Sequence, residues 1–148
     1  MPAKLEGLQS VLANIRAIIP VETGKMNARL AISGTIVEDS VKNHAAMTDH
    51  TLKQLADMGH PYSKRYSVDS GPHPDNAVHS QSGTLLANIE KSENLNMVQS
   101  TVEVGVQEDK VPYIGDLITG TSKQRPRNFI GEGFNQSLDG IIATTQGR

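Results

Sequence analysis

The chain changes its hydrophobic period twice, and no other feature restricts its fold as strongly. Up to about residue 58 the apolar residues fall three and four apart; beyond His79 they alternate; in the last twenty residues the wider spacing returns. Three-four spacing builds one face of an amphipathic helix, and alternation builds a half-buried strand. The order therefore predicts an α+β domain: long N-terminal helices, an antiparallel β-hairpin or small sheet, an extended loop or arm, and a C-terminal helix.

The first helix is read from Leu5, Leu8, Leu12, Ile15 and Ile19. Pro20 should stop it, because proline lacks the amide hydrogen and its ring collides with the preceding turn. This gives an N-terminal helix over residues 1–20, either core packing or a surface for a partner. A second helix is expected from about 25 to 46, with Met26, Leu30, Val37 and Val41 on one stripe. Gly34 lies inside it and reads as a point of close packing, not a break. A short helix then carries Leu52, Leu55 and Met58, capped by Thr48 or Asp49 and closed by Gly59 ahead of Pro61. Residues 60–78 hold three prolines and a glycine and read as a long loop or arm. Structureless segments of that length within a small domain are often functional.

Strands are expected at Thr84–Ile89 and Met97–Val106, with the turn at Asn94-Leu95-Asn96. In the second, Val98, Ser100, Val102, Val104 and Val106 share a face. Phe129, Phe134, Leu138, Ile141 and Ile142 mark the last helix. With 148 residues the chain fits one domain, 1–148. Its core material is lean: two Phe, three Tyr and no Trp. A lean core points to an extended shape or to stability gained from neighbouring subunits.

Several function classes fall away on composition. No cysteine is present, so disulfides, cysteine nucleophiles and zinc fingers are excluded. A net charge of −2 is not the profile of a protein that grips nucleic acid. The first residues, Met1-Pro2-Ala3-Lys4-Leu5, lack the apolar run of a signal peptide, and a soluble cytoplasmic product is expected.

Candidate chemistry is sparse. His44, His50, His60, His73 and His79 lie within 36 residues, which raises an alternative: a small metal-dependent enzyme using the His44–His79 region. Their spacings of 6, 10, 13 and 6 match no ligand motif. Ser82 beside His79 or Asp75 lacks the glycine framing of a nucleophile elbow and reads as the start of a strand. Gly115, Gly120, Gly131 and Gly133 do not form a phosphate loop and mark turns and a helix entry. Lys123, Arg125 and Arg127 form the dense basic patch, suited to an acidic neighbour or to DNA.

One order of motifs stands out in the C-terminal half. Ser82-Gly83-Thr84-Leu85-Leu86 precedes the hairpin, Tyr113 follows it, and then come Leu117-Ile118-Thr119-Gly120-Thr121 and Arg125-Pro126-Arg127-Asn128-Phe129-Ile130. This order, with the segment Asp49–Ser63, resembles the tail-component family of long-tailed bacteriophages, which includes head–tail joining, tail-completion and tail-terminator proteins. The likeness spans about residues 26–142, within a core set at 25–142. It departs where Ile118 and Thr119 stand in place of the usual Glu before Gly-Thr, and where Asn128 is inserted before Phe129.

The resemblance implies a structural virion protein of the neck or tail end, not an enzyme and without cofactors. It implies assembly in the host cytoplasm as a ring, commonly a hexamer. Its partners would be neighbouring neck or connector and tail-tube proteins. Viral double-stranded DNA would pass through the lumen without sequence-specific contact, and no membrane is involved. The residues assigned to assembly are Tyr113, Gly120, Thr121, Arg125, Arg127 and Phe129, with Tyr113 and Phe129 anchoring the last helix to the sheet. Lys123, Arg125 and Arg127 would meet DNA or a neighbour. Whether the ring is a terminator, a stopper or an adaptor stays open.

Overall fold

In the computed structural model, residues 8–46, 57, 78, 83–122 and 126–147 are described. The architecture is α+β, with a long N-terminal helix, a two-stranded antiparallel sheet and a C-terminal helix. Helix α1 (Leu8–Ala45) is followed by α2 (Thr84–Ala87), β1 (Ile89–Asn94), β2 (Thr101–Val106), α3 (Ile114–Thr119) and α4 (Phe129–Thr145).

The two helices expected on either side of Pro20 are one helix of 38 residues, about 57 Å long at 1.5 Å per residue. Pro20 lies inside it and does not end it. Every residue from Gln9 to Glu22 is exposed. The Arg16 carbonyl that loses its partner at Pro20 therefore faces water and is not a buried orphan, which limits the penalty.

Helix α4 runs antiparallel to α1 along its C-terminal half. Gly133 lies against Val41, Gly140 against Ile36, and Gly147 beside Arg29. The Arg29 guanidinium donates to the Thr145 carbonyl at 3.2 Å. The face of α4 turned to α1 is made of small residues, and Gly133 and Ser137 are buried there. A Cβ on Gly133 would stand 2.8 Å from the Val41 backbone, so the two helices touch main chain to main chain. Asn128 caps α4, its side chain accepting from the Gly131 amide at 3.0 Å.

The hairpin lies across α1. Its register pairs Ile89 with Val106, Lys91 with Val104 and Glu93 with Val102. These residues form the inner face, and Gly34 is where β2 reaches the helix: a Cβ there would collide with the Val102 side chain. The expectation of a packing glycine at 34 holds, as does the shared face of Val102, Val104 and Val106.

The first strand does not begin at Thr84. Residues 84–87 are helical, preceded by Gly83 at φ 75°, and the Asn88 side chain donates to the Thr84 carbonyl at 2.7 Å. Gly83 supplies the left-handed turn that a residue with a Cβ resists. This rotates Leu85 into the core and delays extension to Ile89. The second strand likewise starts at Thr101 and not at Met97.

The core gathers at the C-terminal end of α1. Val41, Ala45, Val78, Leu85, Ile89, Val111, Ile114, Leu117 and Phe129 form one buried cluster. Val78 is tied in by its amide, which donates to the His44 carbonyl at 2.8 Å. The expected helix at 48–58 lies outside the described residues apart from Asp57, which is helical and exposed. The expected arm at 60–78 also lies outside them, save buried Val78.

Candidate functional site

The residues assigned to assembly have different fates. Phe129 is fully buried and joins the first turn of α4 to the core. Tyr113 is 46% exposed at the N-cap of α3 and is not a core anchor. Neighbouring Ile114 and Leu117 turn inward in its place. Gly120 ends α3 at φ 77°, a backbone region that favours glycine, and its amide donates to the Asp116 carbonyl at 2.9 Å. Thr121 is exposed just beyond it.

Within the basic run, Arg127 does not lie on the surface. Arg127 is 1% exposed, and its amide donates to the Leu117 carbonyl at 2.9 Å. Its position between α3 and α4 makes it part of the packing, which corrects the expectation that it contacts DNA or a neighbour. Lys123 and Arg125 lie outside the described residues.

His44 is the histidine among the described residues. It is buried, and its Nδ1 donates to the Ser40 carbonyl at 2.9 Å. His50, His60, His73 and His79, like Ser82, lie outside the described residues. Among the described residues no group of three His, Asp or Glu side chains could hold a metal ion.

The prominent surfaces are instead apolar. The first is the arm, Gln9–Glu22, about 21 Å of helix extending past the end of α4. Val11, Leu12, Ile15, Ile18 and Ile19 are 38% to 57% exposed and lie within one stripe. Between Gln9 and Val21 the arm has a single charged residue, Arg16.

The second is the outer face of α4. Phe134, Leu138 and Ile142 recur every four residues and are 47%, 40% and 49% exposed. The apolar residues that revealed this helix in the sequence thus point mainly away from α1. Small residues occupy the packed side. The signal for this was present: Gly133, Ser137 and Gly140 recur at helical spacing on the opposite side from Phe134, Leu138 and Ile142.

The third is an open groove of about 440 Å³ where the hairpin tip meets α1. Asn27 and Ser100 hold the two together, with Ser100 Oγ 2.6 Å from Asn27 Oδ1. The Asn96 side chain accepts from the amides of Val98 and Gln99 at 2.8 and 2.7 Å, which locks the turn. Val98 is thereby presented to solvent at 96% exposure, with Met97 and Met26 nearby at 58% and 66%. At the groove's edge, a hydrogen bond from Lys25 at 2.8 Å, together with its charge, holds the Glu22 carboxylate below its usual pKa.

No protein-family model, curated protein or solved structure matches the chain. Among the described residues no helix is long and apolar enough to cross a membrane.

Proposed function

We propose that this chain is a structural virion protein of the neck or tail end of a long-tailed bacteriophage. It assembles as a ring without a catalytic role, is built in the host cytoplasm, and completes the tail or joins it to the head, with the viral DNA passing through the lumen. The ring is proposed to be a hexamer that meets connector and tail-tube proteins.

The observation that supports this reading best is the arm. Fourteen consecutive residues of α1 are exposed, and nearly all are uncharged. A helix that is apolar on so much of its surface is normally buried. Isolated helices of this length are marginal in water and need a partner surface. The hairpin adds a second means of assembly. In a two-stranded sheet each strand has an outer edge, and an edge can extend the sheet into a neighbour. The slightly acidic charge suits a lumen through which DNA must slide, since a strongly basic wall would retain it.

The test is made in the phage that encodes the sequence. Inactivating the reading frame should leave filled heads and tails unjoined in electron micrographs, and adding purified protein should restore infectivity. A normal yield of infectious particles without the protein would refute the proposal.

A further inference from the structure

We infer that the arm of one copy docks, antiparallel, on the outer face of α4 of the next copy. This inference rests on the ring reading for the identity of the partner and adds the surface by which the copies join.

The arm cannot reach its own α4. That helix ends beside Arg29, and the arm begins beyond its end on the same continuous α1. Its occupant must come from outside the subunit, and the α4 face is suited to it in spacing, sense and charge.

Val11, Ile15 and Ile19 form a ridge of residues four apart. Phe134, Leu138 and Ile142 form a second ridge with the same spacing. Ridges of this type interdigitate in the commonest class of helix packing. Each ridge runs about 12 Å along its helix. An antiparallel register that sets Ile15 against Leu138 also sets Ile19 against Phe134 and Val11 against Ile142.

Charge fixes the sense. Viewed from the N-terminus of each helix at 100° per residue, Arg16 borders the arm stripe on the same rotational side as Asp139 borders the α4 stripe. In antiparallel packing like flanks meet, so Arg16 of one copy comes beside Asp139 of the next. In parallel packing they would lie on opposite sides. Helix α4 has Glu132 and Asp139 and no basic residue, while the arm has Arg16 as its charge before Glu22.

The two surfaces differ, so a contact made in one direction only is heterologous and propagates from copy to copy until rotation closes it. This is the geometry a ring requires.

The test uses two variants of the full chain, Ile15→Asp on the arm and Leu138→Asp on α4. Both positions are exposed, 48% and 40%, so the fold should survive, and far-UV circular dichroism checks this. Wild-type protein should form an oligomer by native mass spectrometry and light scattering. Each variant alone should be monomeric, with self-affinity lowered roughly 30-fold or more, the scale of an interface hot spot. Mixed one to one, the variants should form a heterodimer that grows no further, because each retains the surface the other lacks. An oligomer persisting in either variant, or a mixture that stays monomeric, would overturn the inference. Charge reversal gives an independent reading: Arg16→Glu and Asp139→Arg should each weaken assembly, and the double variant should regain it. A monomeric wild type would remove the second copy as occupant. The ring reading is judged separately by the joining of heads to tails, so the two can fail independently.

Discussion

Two glycine-to-alanine substitutions in helices should have opposite signs. In an exposed helix interior the change stabilises by about 1 kcal/mol, because alanine loses less backbone freedom on folding. Gly24 meets that condition, since a Cβ there would have nothing within 4 Å. Gly133 does not. Its Cβ would lie 2.8 Å from the Val41 amide nitrogen and Cα, where ordinary contact begins at 3.4 Å. The helices must part by about 0.6 Å, the difference between those distances. Backbone atoms cannot swing aside as a long side chain does, and Val41 is fully buried. Overpacking of this kind costs about 1–3 kcal/mol, which offsets or exceeds the propensity gain of about 1 kcal/mol. Gly133→Ala should therefore destabilise by up to about 2 kcal/mol, or up to roughly 8 °C in Tm for a domain of this size. Gly24→Ala should raise Tm by about 2–4 °C. Thermal and urea unfolding followed by circular dichroism measure both. A stabilised Gly133→Ala protein would show that α1 and α4 are not in main-chain contact, and the antiparallel helix pair would be wrong.

Phe129→Ala should cost about 3–5 kcal/mol by emptying the centre of the core, seen as a lowered urea midpoint. Asn128→Ala should cost about 0.5–2 kcal/mol through loss of the bond to the Gly131 amide, measured the same way. Pro20→Ala should leave helical content by circular dichroism nearly unchanged, since the helix already continues through this position; a clear gain in helical content would show that proline interrupts the helix. Tm should rise with protein concentration, because a partner that binds only the folded state stabilises it by mass action; a constant Tm across a hundredfold range would count against assembly through these surfaces.

The sequence located the elements better than it located their faces and ends. The long helices were legible because three-four spacing persists through Leu12, Ile15, Ile19, Leu30, Val37 and Val41. Pro20 does not end the helix, because exposure of the surrounding turns softens its local penalty. β1 carries no apolar alternation at its true position, because its inner face has Lys91 and Glu93 after Ile89. Lys91 belongs there for a reason alternation cannot express: its ammonium donates to Thr35 Oγ1 at 2.8 Å and pairs with Glu93 at 2.6 Å. Arg127 stands in a basic run and so reads as a surface charge, yet it is 1% exposed. Charge run and surface patch are the same thing only where the backbone keeps the residues on one side.

The division of labour within α1 and α4 links the lean composition to the proposed assembly. A chain with two Phe and no Trp has little large apolar material, and it does not spend it all on its own core. Phe129 goes inward and Phe134 outward, although both belong to one helix. The inner side of α4 holds α1 through small residues: Gly133 meets the Val41 main chain and Gly140 the Ile36 side chain, contact that needs no large side chain on α4. The larger residues of α4, and those of the arm, are left facing solvent. In a monomer this distribution is unfavourable, since exposed apolar helices invite nonspecific association. It becomes favourable when each outward ridge meets a specific complement on the next copy, so that the apolar surface withheld from the subunit stabilises the assembly.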